Sequence, residues 1–246
     1  RGPSLKNRLT GEAAVYKPML DRDQLKDPAT GVEYFLKSLR PHFVKGMHSV
    51  FLFRLFQFMK IRRGKTEINR WIAKVAKWHG SIDVLINNAA RDPRIKFEDV
   101  SAKDWDDLFA DNLRGYFLTC REASPHLAKG ASVINFSSIT RCNGPEEMST
   151  YVATKAGAIG LSRSLARELG SRRIRVNTIS PGWIMTDRQL DEHVTPAIKR
   201  ELRKIQCIPD LNQPDEVADV ALFLASDASR AVTGQDILVD RGWRHG

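Results

Sequence analysis

From about Thr66 onward the apolar and polar positions fall into two alternating periods. Ile68, Ile72, Val75 and Ala76 recur at helical spacing in INRWIAKVAKWHG, and Gly80 supplies the stop. SIDVLINN (81–88) reads as a short buried strand, WDDLFADNLRGYFLTCREASPHLA (105–128) as one long amphipathic helix, and ASVINFSS (131–138) as a β-branched strand. YVATKAGAIGLSRSLARELG (151–170) is helical to its glycine, and RIRVNTIS (173–180) is a strand halted by Pro181-Gly182. Helical spacing returns at about 194–205 and 215–226, and QDILVD (235–240) is a last strand. Strands alternating with helices predict an α/β fold, a parallel sheet covered on both faces.

Before residue 65 this agreement is lost. Residues 1–48 hold no apolar run long enough for a buried strand. The one strongly apolar stretch, SVFLFRLFQFM (49–59), carries Arg54 and Gln57, which make it a poor buried parallel strand. It reads as a packed local helix, with an interfacial amphipathic helix as the other reading. Within LTGEAAVYK (9–17), Thr10-Gly11 begins like a phosphate-cradling TGxxxGxG turn, but Val15 and Lys17 stand where the next glycines would be. The chain thus divides into an atypical segment, 1–64, lacking a Gly-rich dinucleotide motif, and a regular region, 65–246.

Charge sharpens that boundary. The net charge is +10, of which +9 falls on residues 1–70 and +1 on residues 71–246. The basic segment has no zinc spacing, helix-turn-helix or RNA-binding signature, so no nucleic-acid partner is expected. With 42% hydrophobic and 28% charged residues the composition is globular, and no stretch approaches the roughly 18 apolar residues of a membrane span. RGPSLKNRLT lacks a secretory apolar run, and Cys120, Cys142 and Cys207 show neither metal nor disulfide spacing. A reducing, cytoplasmic compartment and no metal are expected.

The candidate chemistry lies at predicted strand ends. Tyr151 and Lys155 are four apart on a helix and share one face. A nearby ammonium favours the phenolate, so Tyr151 could exchange a proton with a substrate oxygen near the working pH. Taken alone, such a pair is usually an ordinary surface feature of a helix. Ser138, however, ends a strand thirteen residues earlier, at the carboxyl edge where ligands of parallel sheets bind. Asn112 is an unusual choice for a helix interior. Asn87-Asn88-Ala89-Ala90 and Pro181-Gly182 end two further strands. Each has a bland reading, as turn, loop or solvated residue; their common placement in order does not.

DVLINNAA, the Asn of ADNLRGYF, INFSS, YVATK, VNTISPGWIMT and TGQDILVDRGW together resemble the classical short-chain dehydrogenase/reductase family over about residues 65–246. The resemblance implies a doubly wound, Rossmann-like parallel sheet, with the anomalous N-terminal segment in place of its first strands. It also implies a site in which Ser138 orients the substrate oxygen, Tyr151 is the acid/base, and Lys155 lowers the tyrosine pKa and holds the nicotinamide ribose. Asn112 would hold a proton-relaying water, Asn88 and Ala89 would line the cofactor cleft with Asp83 supporting their loop, and Pro181, Gly182, Ile184 and Thr186 would lie near the nicotinamide. Pairing through the two long helices, as a dimer or tetramer, is implied as well.

NNAARDPR, PGWIMTDRQ, the TP and QC of TPAIKRELRKIQC, ALFLASDASR and the ending GWR are similar, more narrowly, to the aldose (xylose-type) dehydrogenases of that family. That likeness implies NAD, with NADP not excluded, and oxidation of an alcohol or sugar substrate, an aldose passing to its lactone. Trp183 would then face the sugar, with Arg91, Arg94 and Gln189 as polar contacts; packing roles are the alternative for each. The departure in residues 8–64 keeps the length of a dinucleotide-binding half but not its pattern, as a stretch read in another frame or across an aberrant junction would. Without strands there, 81–88 is expected to be an exposed sheet edge. An impaired chain with at most a binding or scaffold role is the alternative to an active dehydrogenase.

Overall fold

The computed structural model describes residues 50–52 and 65–244. Five strands form one parallel sheet in the order β1 (Val50–Leu52), β2 (Ile82–Asn87), β3 (Leu127–Phe136), β4 (Arg175–Pro181) and β5 (Asp236–Val239). Their registers set Leu85 beside Val133, Val133 beside Val176, and Ile179 beside Ile237. The period of two then sorts the core. Leu85, Val133 and Val176 face a layer holding Ile68, Ile72, Cys120 and Ala123, whereas Val84, Ile86, Ile134, Phe136 and Ile179 face Val217, Ala218, Ala221 and Leu224. Both faces are covered, and the expected Rossmann-like architecture is present.

The helices follow their predicted positions with shifted ends. These are α1 (Lys65–His79), α2 (Ala102–Phe109), α3 (Gly115–Ala123), α4 (Thr140–Asn143), α5 (Ser149–Leu169), α6 (Asp187–Glu192), α7 (Pro196–Ile205) and α8 (Pro214–Ala225). Local chemistry sets several starts. Ser101 and Asp104 make a capping box at α2, Thr195 caps α7 ahead of Pro196, and Gln213 with Glu216 closes α8.

Two expectations are corrected here. The single helix over 105–128 is broken: α2 passes through a π-helical turn, Ala110–Arg114, into α3, and a 3-10 turn at Ser124–His126 ends it. Pro125 has no N–H to continue the α ladder, and β3 begins at Leu127, well before residue 131. In addition, the edge of β2 is not bare. Val50–Leu52, inside the stretch expected to be helical, runs parallel to Val84–Ile86; three residues are enough to occupy the ladder, and Arg54 and Gln57 lie beyond them. The expectations for residues 1–49 and 53–64, including Thr10-Gly11, fall outside the described residues.

Candidate active site

The carboxyl ends of β2, β3 and β4 lie side by side, so the segments that follow them converge. Ser138 leaves β3 on a tether: Ser137 N donates to Ile179 O at 2.8 Å and Ile139 N to Pro181 O at 3.1 Å, extending the β3–β4 ladder past the sheet edge. The Ser137 hydroxyl donates to Lys155 O at 2.8 Å and binds this corner to α5. The Ser138 hydroxyl accepts from Thr140 N at 3.2 Å, and it lies near enough to the Tyr151 phenol to favour its ionised form. The turn role and the site role therefore coexist in one residue.

Lys155 is 2% exposed, and its Nζ donates to Phe136 O at 2.9 Å. The same ammonium lies 5.6 Å from the ring centres of both Tyr151 and Tyr116. Burial pushes Lys155 down to about 7, against the opposing pull of the Asp92 carboxylate. Burial also pushes Tyr151 well above the ordinary phenol value; Asp92 adds to the rise, while Ser138 and Arg188 oppose it. The expectation that Lys155 depresses the tyrosine pKa is thus corrected. Desolvation dominates at both residues, and the charges acting on the phenol come from Asp92 and Arg188 instead.

Asn112 sits in the π turn, fully buried. Its Oδ1 accepts from Arg91 N at 2.8 Å, and its Nδ2 donates to Arg91 O at 2.8 Å and Thr154 Oγ1 at 3.3 Å. Thr154 Oγ1 in turn donates to Tyr151 O at 2.7 Å. The amide fastens the loop after β2 to the turn that carries Tyr151. Both amide donors are engaged there, and Oδ1, which accepts one bond, keeps capacity for a second.

Ala89 is buried and Asn88 half-buried directly after β2; Pro181, Gly182, Ile184 and Thr186 line the exit from β4. A Cβ on Gly182 would meet Asn212 Nδ2 at 2.7 Å and Asp240 Cα at 3.0 Å. Close packing against the C-terminal segment thus explains this glycine without a ligand. Thr186 caps α6, accepting from Gln189 N at 3.4 Å. Asp83 stands at the opposite end of β2 from Asn88; five residues of extended chain put it about 16 Å away, so it does not support that loop.

The expected sugar contacts separate. Trp183 Nε1 donates to Gln189 Oε1 at 2.8 Å, and Arg94 lies 6.0 Å over the Trp183 ring, so these three form one wall. The Arg91 guanidinium pairs through Nε with Asp111 at 2.6 Å, and the residue lines the cavity beside Tyr151. A cavity of about 300 Å³ lies beside Tyr151, lined by Arg91, Pro93, Ile95, Met148 and Thr150 among others.

Three participants escaped sequence reading. Tyr116, fully buried, stands one turn after Asn112 and faces Lys155; that spacing was a visible signal. Asp92 and Arg188 are joined at 2.5 Å across 96 residues of sequence, and no local pattern announces such a pair.

The nicotinamide-ribose end of a dinucleotide fits this corner. Lys155 makes one bond to Phe136 O and has donor capacity left, and Ala89, Pro181 and Ile184 offer small or apolar walls at the carboxyl edge of the sheet. A cradle for the pyrophosphate would fall to residues outside those described.

Comparison with known proteins agrees with this geometry. Residues 63–244 match a family model described as enoyl-(acyl carrier protein) reductase. The chain is 42% identical over 165 residues to a probable galactose dehydrogenase of Rhizobium meliloti, covering 66% of this chain and 64% of that protein. It is 40% identical over 167 residues to a D-xylose 1-dehydrogenase of Caulobacter vibrioides, covering 67% of each. It is 36% identical over 178 residues to a 3-oxoacyl-[acyl-carrier-protein] reductase of Staphylococcus aureus, covering 72% of each. The matched region thus spans about two thirds of the length of the two sugar dehydrogenases. Among solved structures, a glucose/ribitol dehydrogenase-type protein from Brucella melitensis superposes with a TM-score of 0.70 at 30% identity, over 74% of each chain. A Burkholderia cenocepacia protein in complex with NADP gives 0.67 at 28% identity, over 73% of each.

Proposed function

The chain belongs to the short-chain dehydrogenase/reductase family, and we propose from its site that it is an NAD(P)-dependent oxidoreductase oxidising the anomeric hydroxyl of an aldose to a lactone. The observation that carries this reading is the convergence of Ser138, Tyr151 and Lys155 at the sheet edge, with the buried Lys155 ammonium 5.6 Å from the Tyr151 ring centre. When bound, the nicotinamide would accept the hydride. Ser138 holds the substrate oxygen, and Tyr151 removes its proton. Lys155, which faces the tyrosine ring, would hold the ribose hydroxyls of the bound cofactor. Asn112, through Arg91 and Thr154, positions the two segments between which the substrate lies. Asn88, Ala89, Pro181, Gly182, Ile184 and Thr186 shape the cofactor side, with Trp183 and Gln189 on the substrate side.

The sugar and NAD readings draw support from the galactose and xylose dehydrogenase relatives. A panel of D-galactose, D-xylose, a simple secondary alcohol and a 3-oxoacyl thioester, each with NAD(H) and NADP(H), tests them. Fastest turnover is expected for an aldose with NAD; preference for the thioester with NADPH would overturn the aldose assignment. The impaired-chain reading is favoured by Val15 and Lys17 in place of glycines. NADH fluorescence titration decides between the two: micromolar binding is expected of the enzyme, and none up to millimolar would establish the relic.

Cytoplasmic residence accords with three unpaired cysteines; among the described residues no helix is long and apolar enough to cross a membrane. Pairing of two copies is supported by the groove of Phe109, Leu113, Phe117 and Leu161 between the broken helix and α5. Phe117 is 44% exposed there, a costly position for an aromatic ring in water. Sedimentation should show a dimer or tetramer that Phe117→Asp converts to smaller species; a monomeric wild-type chain would refute the pairing.

A further inference from the structure

The π turn and α3 present two buried side chains in succession to α5. Tyr116 lies four residues after Asn112, one turn further along the same face; Asn112 meets Thr154, and Tyr116 meets the next residue, Lys155. Tyr116 is fully buried, and its ring centre stands 5.6 Å from Lys155 Nζ, the same distance as the ring centre of Tyr151. Among the described residues its hydroxyl has no hydrogen-bond partner. A buried tyrosine usually finds one, so what Tyr116 brings to this place is the face of its ring.

The ammonium has a use for that face. It is 2% exposed, and among the described residues its hydrogen bond runs to Phe136 O. One carbonyl offsets the loss of water around a buried charge only in part. A ring attracts a desolvated cation within about 6 Å of its centre through its quadrupole. Two such rings restrain the end of a flexible four-carbon stem without taking up any of its N–H groups. The donors not directed at Phe136 O are thereby left for the cofactor cleft, whereas a carboxylate at position 116 would offset the charge but draw those donors away from it. The other groups acting on this ammonium are Tyr151 on its own helix and Asp92 from the loop after β2, itself paired with Arg188 of α6.

We propose that Tyr116 is a positioning residue: its ring, together with that of Tyr151, holds the Lys155 ammonium where it can meet the ribose hydroxyls, and its own hydroxyl takes no part. The consequence for cofactor and turnover rests on the oxidoreductase reading above. The consequence for the charge of Lys155 does not.

Tyr116→Leu, Tyr116→Met and Tyr116→Phe, each in the full-length protein, separate ring from hydroxyl. Leucine and methionine occupy the space without a ring, and both should weaken NADH binding and lower kcat by about tenfold, with the aldose KM unchanged. Phenylalanine keeps the face and should rescue both quantities, melting no lower than wild type because the hydroxyl it removes is unpartnered. A phenylalanine variant as impaired as the leucine one would make the hydroxyl the acting group and overturn the proposal. Guanidinium unfolding across pH 5 to 9 supplies an arm independent of turnover. The ring favours the charged ammonium, so its loss moves the folded-state Lys155 value further below that of the unfolded chain. The rise of unfolding free energy with pH should then begin lower, by about half a unit or more, in the leucine and methionine variants and not in the phenylalanine one. A merely structural role would lower the melting temperatures of the first two without displacing that onset. An undisplaced onset, or one displaced equally in all three variants, overturns the proposal. Displacement confined to the ringless variants supports it even in a chain that neither binds NADH nor turns over, in which case the oxidoreductase reading alone fails.

Discussion

Replacing Tyr151 with phenylalanine should lower kcat by at least ~100-fold, and up to ~10,000-fold, while the protein melts as wild type does. At about 1.4 kcal/mol per tenfold, the lower bound is close to 3 kcal/mol of transition-state stabilisation. The phenol is the group placed to exchange the substrate proton: it stands beside Ser138, which favours its ionised form, and Lys155 lies 5.6 Å from its ring centre. Phenylalanine keeps the ring, its contact with Lys155 and the α5 packing, so loss of the hydroxyl alone is measured. Because burial and Asp92 hold the phenol above its ordinary value, the wild-type oxidation rate should climb with pH across the alkaline range, and the residual rate of Tyr151→Phe should not. Steady-state kinetics between pH 7 and 10 with the best aldose checks both features. Retention of more than about a tenth of the rate would remove Tyr151 from the acid/base role.

How much of this was legible beforehand depends on how local the cause was. The sheet and its covering helices were, because periods of two and 3.6 are properties of short windows. The meeting of Ser138, Tyr151 and Lys155 was readable for the same reason: each sits at the end or start of an element whose direction the parallel sheet dictates. The break in the long helix was not, since the apolar spacing runs through Ala110–Arg114 unchanged, and only the buried amide of Asn112 and its bonds to Arg91 explain the π turn. Asp83 misled because it is close to Asn88 in sequence, yet a strand spends five residues on distance. The pairing of Arg91 with Asp111 was not readable, because the two lie twenty residues apart. The sign of the Tyr151 shift was lost in the same manner: the Tyr-x-x-x-Lys spacing gives the attraction, while burial and the pair Asp92–Arg188 belong to the assembled fold.

Lys155→Met should abolish turnover and weaken NADH binding, and it should also change how stability depends on pH. In the folded chain Lys155 titrates at about 7 because burial penalises its charge, whereas in the unfolded chain it titrates near 10.4. Between those values the unfolded state carries a proton that the folded state lacks, so unfolding free energy rises with pH across that window from this residue. Below pH 7 both states are charged, and the fold bears the full cost of a desolvated ammonium. Wild type should therefore gain up to a few kcal/mol from this group between pH 6.5 and pH 9.5, and Lys155→Met should lose that gain. Loss of the bond to Phe136 O shifts the variant by a similar amount at either pH, so it cancels in the comparison of slopes. The raised Tyr151 acts in the opposite sense, but only above its unfolded value near 10, outside the window. Guanidinium unfolding of both proteins at the two pH values, alongside NADH titration, measures the effect. Parallel pH dependences would mean that Lys155 charges as freely in the fold as in water, and the cost proposed for keeping an ammonium beneath Tyr151 would not exist. A flattened dependence joined to lost turnover would establish that the fold accepts an unstable cation there for the sake of the site.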